Sequence, residues 1–140
     1  MKDPNCAYCG NEEALAAFGY PICEMDNALL YVFKEQSNKG RVILASKDHY
    51  DDFTEMSDEE RNGFFADMAK VAKALRKLYE PDKINFGAFG DTGHHCHFHL
   101  VPKYKGSEEF GGMFAMNSGK LILDDEACAV LANEIRNALE

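Results

Sequence analysis

Histidine is the side chain whose ordinary pKa lets it act as base, nucleophile or metal ligand near neutral pH. The five histidines of this chain fall in two places: His49 stands alone, and His94, His95, His97 and His99 fill four of six consecutive positions. In an extended strand alternate side chains share a face, so His95, His97 and His99 point one way and His94, Cys96 and Phe98 the other, with successive imidazoles ~6.5–7 Å apart. Burying unpaired imidazoles costs free energy, and a plain core would use Val or Ile at such positions. Three in register therefore point to a site. With one nitrogen protonated and pinned by an acceptor, a neutral imidazole presents its other nitrogen as a nucleophile.

Cys6-Ala7-Tyr8-Cys9 forms a C-x-x-C, which reads either as a redox pair or as half of a metal site. A redox pair wants a βαβ setting with its first cysteine at a helix start, which the few residues before Cys6 do not provide. Zinc takes four Cys or His ligands in a tetrahedron, and His49 with one histidine of the cluster completes that number; an empty or iron-bound C-x-x-C stays open. Four protein ligands leave no open position, so a zinc held this way is structural. Cys23 and Cys128 read as buried small hydrophobes. An odd number of cysteines, with no apolar stretch in Met1 to Asn5, fits a reducing, cytoplasmic setting.

Several elements must position these residues. Ala28 to Phe33 and Arg41 to Ala45 are apolar runs rich in β-branched and aromatic residues, joined by a polar loop that ends in Gly40, as in an antiparallel hairpin. Ser57-Asp58-Glu59-Glu60 predicts a capping box, and Phe64, Phe65, Met68, Val71, Ala72, Leu75 and Leu78 recur at helical spacing up to Pro81, giving a helix over Ser57 to Tyr79. Ile84 to Phe89 and His95 to Val101 read as two more strands around Gly90-Asp91-Thr92-Gly93, a tight turn whose amides could face a ligand. Tyr104 to Gly119 is glycine-rich and irregular, and Asp124 caps a last helix with Ala127, Val130, Leu131, Ile135 and Leu139 on one face. This order makes an α+β fold with an antiparallel sheet.

At 140 residues, with no repeat or linker, the chain reads as one domain over 1–140. A net charge of −9 argues against a general nucleic-acid binder, which needs a basic face, while leaving a small anionic substrate open. No apolar run approaches the ~18 residues of a membrane span.

His95-Cys96-His97-Phe98-His99-Leu100-Val101 matches the pattern His-φ-His-φ-His-φ-φ, with φ apolar. On that motif, with the hairpin, the long helix, the strand carrying Asn85 and the Gly90 to Thr92 turn in order, the chain from about Cys6 to Lys103 resembles the histidine triad (HIT) family, in its zinc-binding branch. The resemblance implies a HIT-like sheet with one long helix and a C-terminal helix. It makes His97 the nucleophile on the α-phosphate of a nucleotide, through a nucleotidyl-histidine intermediate that water resolves. A backbone carbonyl near His95 would pin the His97 ring, and His99 would contact phosphate and help the leaving group. Thr92 and the amides around Gly90 would bind phosphate oxygens, and Asn85 would lie on the pocket wall. Glu35 is the nearest candidate for a ribose-binding acid, against the reading of a solvated loop carboxylate. Carried over, the zinc ligands are Cys6, Cys9, His49 and His95, and the partner is a second copy of the chain, paired through the helix and an adjacent strand.

Two positions depart from the family pattern. Asp91 precedes Thr92 where many members have glutamine, which makes it either structural or a restriction on the substrate, and His94 replaces proline or an apolar residue and reads as a surface group or as one that supports the site residues from behind. The expected activity is hydrolysis of a phosphoanhydride or phosphoramidate at the α-phosphate. His99 stands where the uridylyltransferase branch has glutamine, which favours hydrolysis over transfer to a phosphorylated acceptor. A purine-nucleotide binding module with little turnover is the third reading. Phe33, Glu35 and the Tyr104 to Met116 loop are expected to shape the choice of substrate.

Overall fold

Five antiparallel strands form one sheet in the order β1-β2-β3-β5-β4: β1 is Gly19–Glu24, β2 Leu29–Phe33, β3 Val42–Ala45, β4 Lys83–Gly87 and β5 His97–Lys103. They come from a computed structural model that describes residues 2–140. Two longer helices, α2 (Asp58–Tyr79) and α3 (Asp125–Ala138), cover one face, and a 3-10 turn at Ala7–Cys9 with the short helix α1 (Glu12–Ala16) lies on the other. The result is the α+β antiparallel architecture the sequence predicts.

The strand alternation separates two chemistries. Leu30, Val32, Val42, Leu44 and Leu100 face α2 and α3 and pack with Phe64, Val71, Leu75, Cys128 and Ile135 in the main core. Tyr31, Phe33, Ile43 and Ala45 face the opposite way, into a smaller cluster with Tyr8 and Leu15. In the β3–β5 register Ile43 lies opposite His99 and Ala45 opposite His97, so the histidines share this second face. Cys96 and Phe98 belong to the main core side.

The α2 helix starts where its sequence dictates. Ser57 Oγ accepts the Glu60 amide at 3.1 Å, and Asp58, Glu59 and Glu60 complement the helix dipole. The Glu60 carboxylate accepts the Ser57 hydroxyl rather than the N-cap amide of a full capping box. The helix stops at Glu80, in a left-handed conformation (φ 46°) just before Pro81. Asp124 caps α3 by accepting the Ala127 amide at 2.9 Å.

Three features differ from the sequence reading. The strand β1 and the helix α1 were not foreseen: Pro21 breaks the strand signal, and the structure tolerates it because β1 is an edge strand with a register shift between Pro21 and Cys23. The Ile22 carbonyl at that irregularity accepts Arg136 Nε and Nη2, at 3.0 and 2.7 Å, which ties α3 to the edge. The triad strand begins at His97 rather than His95, because the Cys96 amide donates to the Tyr50 carbonyl and the Cys96 carbonyl accepts from the Ser46 amide outside the regular ladder. Cys128 is fully buried as expected, whereas Cys23 is only half-buried against the same core. Among the described residues no helix is long and apolar enough to cross a membrane.

Gly40 closes the β2–β3 loop with φ at +94°, and a β-carbon there would come within 2.6 Å of the Tyr79 ring. Left-handed backbone costs a non-glycine residue roughly 1–2 kcal/mol before any clash is counted. Gly40→Ala should therefore lower stability by at least about that amount, read as a lower urea midpoint at unchanged m-value.

Candidate functional site

Four side chains from three distant segments converge beside the triad. Cys6, Cys9, His49 and His95 each offer one ligand atom, and these atoms lie within 4.8 Å of one another. Cys9 Sγ is 3.3 Å from His49 Nδ1 and 3.4 Å from His95 Nδ1, Cys6 Sγ is 3.4 Å from His95 Nδ1, and the two imidazole nitrogens are 3.2 Å apart. For a tetrahedral ion with ordinary Zn–N and Zn–S bonds, ligand atoms stand about 3.3 Å (N···N) and about 3.6 Å (N···S) apart. The set therefore has the size and the donor chemistry of a tetrahedral thiolate–imidazole site. His95 is prepared for this role from behind: its Nε2–H donates to the Ser46 carbonyl at 2.7 Å, which leaves Nδ1 as a lone pair. Burial pushes the His95 ring down to about 4, so it stays neutral, the form that ligates metal.

The same residue controls the next histidine. His97 Nδ1–H donates to the His95 carbonyl at 2.7 Å, so the lone pair of His97 is on Nε2. Burial lowers the pKa of His97 from its ordinary value, against the raising effect of that hydrogen bond, and favours the neutral ring. Tyr8, between the two cysteines in sequence, packs its ring 5.2 Å from His97 and 5.4 Å from His95, and also touches Phe18 and Tyr31. The nucleophile candidate is thus held by a backbone carbonyl on one edge and an aromatic face on another.

His95, His97 and His99 line a pocket of about 650 Å³, within the range of small-molecule sites. Its other walls are the N-terminal segment (Asn5, Cys6, Tyr8), Phe18 and Phe33, the turn residues Asp91, Thr92 and Gly93, and Met116 with Asn117. Thr92 and Asp91 are exposed at its rim. His94 is exposed too, with Nδ1 3.2 Å from Asp51 Oδ1.

Three sequence candidates lie elsewhere. Glu35 is buried and its oxygens accept the Ser37 amide, the Ser37 hydroxyl and the Leu121 amide, so it latches the segment before α3 to the hairpin loop and does not line the pocket. Burial raises the pKa of this carboxyl, but the hydrogen bonds outweigh it and hold the value below the ordinary carboxylate range. Asn85 sits opposite Val101 on the triad's face of the sheet, but borders a separate hollow lined by Gly87, Phe89 and Phe114. Gly90 lines a neighbouring hollow that reaches His97 from the Asp52 and Phe53 side.

Sequence reasoning missed two buried cations. Arg41 and Lys103 are each 2% exposed, and they hold the irregular stretch after β5 over the site. Arg41 Nη1 and Nη2 donate to the Ala115 and Met116 carbonyls at 2.9 Å, and Lys103 Nζ donates to the Glu109 and Gly112 carbonyls at 2.7 and 2.9 Å. The signal was a basic residue just before one apolar strand and another at the end of a second, each of which reads as a strand flank until the register is known.

A family model described as HIT domain matches residues 21–106. The chain belongs to the HIT family. An uncharacterized HIT-like protein of Methanocaldococcus jannaschii is 32% identical over 110 residues, covering 74% of this chain and 83% of that one. Among solved structures, a histidine triad protein from Marinobacter aquaeolei superposes with a TM-score of 0.82 at 19% identity over 91% of this chain and 93% of the other. A Zn-bound histidine triad family protein from Mycobacterium smegmatis does so with a TM-score of 0.70 at 23% identity, over 96% and 93%. At these identities the structural matches establish the fold, and the family rests on the sequence match.

Tyr8 is the aromatic link between the cysteine pair and the HIT triad, buried to 7% exposure with a hydroxyl that makes no hydrogen bond to a described residue. Tyr8→Phe should be nearly neutral, whereas Tyr8→Ala should cost roughly 3–5 kcal/mol through the cavity it leaves. Chemical denaturation of the two variants side by side checks this.

Proposed function

We propose that this HIT protein is a nucleotide hydrolase that cleaves a phosphoanhydride or phosphoramidate bond at the α-phosphate, with His97 as the nucleophile. The observation that carries the reading is the pinned ring of His97: with Nδ1–H held by the His95 carbonyl, Nε2 is the nucleophilic nitrogen of a residue that lines the pocket. In the first step Nε2 attacks the α-phosphorus, the N–P bond forms, and the bond from phosphorus to the leaving oxygen or nitrogen breaks. His99, whose ring is 5.7 Å from that of His97, donates a hydrogen bond to the phosphate or leaving group, and Thr92 does so from the rim. In the second step water attacks phosphorus, the N–P bond breaks, and nucleoside monophosphate leaves with His97 restored. The aromatic walls Tyr8, Phe18 and Phe33 suit a nucleobase or another flat group.

Zinc is the metal we assign to Cys6, Cys9, His49 and His95. Bound there, it would be structural, fixing the N-terminal segment and the His95 ring; the chemistry of phosphoryl cleavage belongs to the histidines. We also read the protein as cytoplasmic, from its unpaired cysteine usage, as one domain over its whole length, and as a homodimer, for which the open edge at β4 and the half-exposed Phe86 on it are a suitable surface.

Elemental analysis of purified protein should find about one zinc per chain, and Cys6→Ser should release it with a clear fall in melting temperature, since structural zinc in small peptides is worth ~10 kcal/mol or more. Full stability without metal would remove zinc from the reading.

The reaction is tested with a panel of nucleotides bearing polyphosphate, phosphoramidate and sulfate leaving groups. Rapid denaturation should trap acid-labile, base-stable nucleotide on the peptide that contains His97. His97→Ala should abolish both adduct and turnover by several powers of ten while leaving nucleotide binding near normal. Turnover that needs an added phosphorylated acceptor would assign the chain to transferases, and binding without turnover would make it a nucleotide-binding module.

A further inference from the structure

Arg41 is the least economical residue in the molecule by ordinary packing rules. A guanidinium, permanently charged and carrying five donors, is buried at the start of β3 with no carboxylate in ion-pair distance among the described residues. Burial pulls its pKa down to about 10, which leaves it fully charged at neutral pH. Its Nε is the one buried side-chain nitrogen or oxygen without a partner among the described residues. The charge is accommodated by the Phe33 and Phe114 rings, whose centroids lie 4.2 and 4.8 Å from Cζ, and by the carbonyls of Ala115 and Met116. The remaining contact is to the triad: Arg41 Nη2 lies 3.1 Å from His99 Nδ1.

That contact has only one possible sense. A guanidinium donates and never accepts, so Nδ1 of His99 must be the acceptor and the ring proton must be on Nε2. His99 Nε2 has no protein partner among the described residues, yet is not a buried orphan, and His99 lines the triad pocket. Its N–H is therefore free to donate there. We propose that Arg41 is a positioning residue that fixes His99 as the neutral Nε2–H tautomer, with its donor directed into the pocket.

The arrangement makes adjacent histidines complementary. His97 carries its proton on Nδ1, against a carbonyl, and offers a lone pair; His99 carries its proton on Nε2, against a guanidinium, and offers a donor. One ring can attack while the other supports the oxygen that gains charge. The same guanidinium grips the Ala115 and Met116 carbonyls, so the pocket wall at Met116 and Asn117 is set by the residue that orients His99. Its charge, only partly offset by the Glu35 and Glu109 carboxylates, also faces an anionic substrate favourably in a chain of net charge −9.

The proposal rests on the hydrolase reading only for its consequence in turnover; the tautomer stands apart from it. Long-range proton–nitrogen correlation NMR on the wild-type protein, free of nucleotide, should show His99 with a protonated Nε2 and an unprotonated Nδ1, and His97 with the reverse pattern. Arg41→Met should collapse the His99 preference and lower kcat about 10- to 100-fold, as loss of a partner that orients a ligating histidine commonly does, with a smaller change in KM. Arg41→Lys, which keeps charge and a donor but not the planar fork, should recover part of both signals. A merely structural Arg41 would shift stability and KM while leaving the tautomer in place. Nδ1–H on His99 in the wild type, or Arg41→Met with unchanged tautomer and unchanged kcat, overturns the assignment. Should Arg41→Met fail to fold, the wild-type spectrum and Arg41→Lys still decide it. A protein with Nε2–H on His99 but no hydrolysis of any nucleotide would refute the proposed reaction and leave this assignment intact.

Discussion

The 2.7 Å hydrogen bond from His97 Nδ1 to the His95 carbonyl depends on where the His95 backbone is, and the rest of the site depends on that bond. His95 stands just before the regular ladder of β5, outside its pairing, and is held instead through its ring. Nε2–H is bound to the Ser46 carbonyl at the end of β3, and Nδ1 is turned to Cys6, Cys9 and His49. One residue thus connects the metal-type cluster, the sheet and the nucleophile candidate. Its carbonyl can act as a fixed acceptor because its side chain is fixed at both nitrogens.

The sheet supplies the second constraint, through its period of two. With His97 and His99 on one face, Cys96, Phe98 and Leu100 must lie on the other, where α2 and α3 bury the main core. A one-residue slip of β5 against β3 would exchange the imidazoles with that core, so the register is enforced by burial on both sides. The N-terminal segment then has to cover the histidine face. It does so with Leu15 and Tyr8, small additions to the core, of which Tyr8 also forms part of the pocket wall.

Charge is arranged differently near the site and over the surface. The chain is acidic overall, but the two side chains that tie the stretch after β5 to the sheet are buried cations bonded to carbonyls. Backbone oxygens satisfy Arg41 and Lys103 without neutralising them. The glycine-rich segment gains order from these bonds and from the Glu35 latch, not from any ladder of its own beyond a single bridge between Glu35 and Ile122.

Local patterns made much of this protein readable from its residues. Period two across the triad, period 3.6 behind Ser57 and the paired cysteines are each encoded within a few positions; they named the fold class and the long helix and pointed to a metal-type site, whose four ligands were then placed by resemblance. The edge strand β1 stayed hidden because Pro21 and its irregular pairing make sense only beside a neighbour. Glu35 and Asn85 were placed by resemblance, whereas their surroundings depend on where the segment after β5 comes to rest. Arg41 entered only as the first residue of an apolar strand run, since sequence alone gives a charged residue no reason to be buried. Only the β3–β5 register brings its guanidinium to His99, and only the folded return of residues 113–117 gives it the carbonyls and the aromatic face that make burial tolerable. What the sequence determined by itself was the local order of elements and the histidine face. The tertiary structure decided which nitrogen of each histidine holds the proton, because a tautomer is set by the acceptor or donor across the gap, and those partners come from distant parts of the chain.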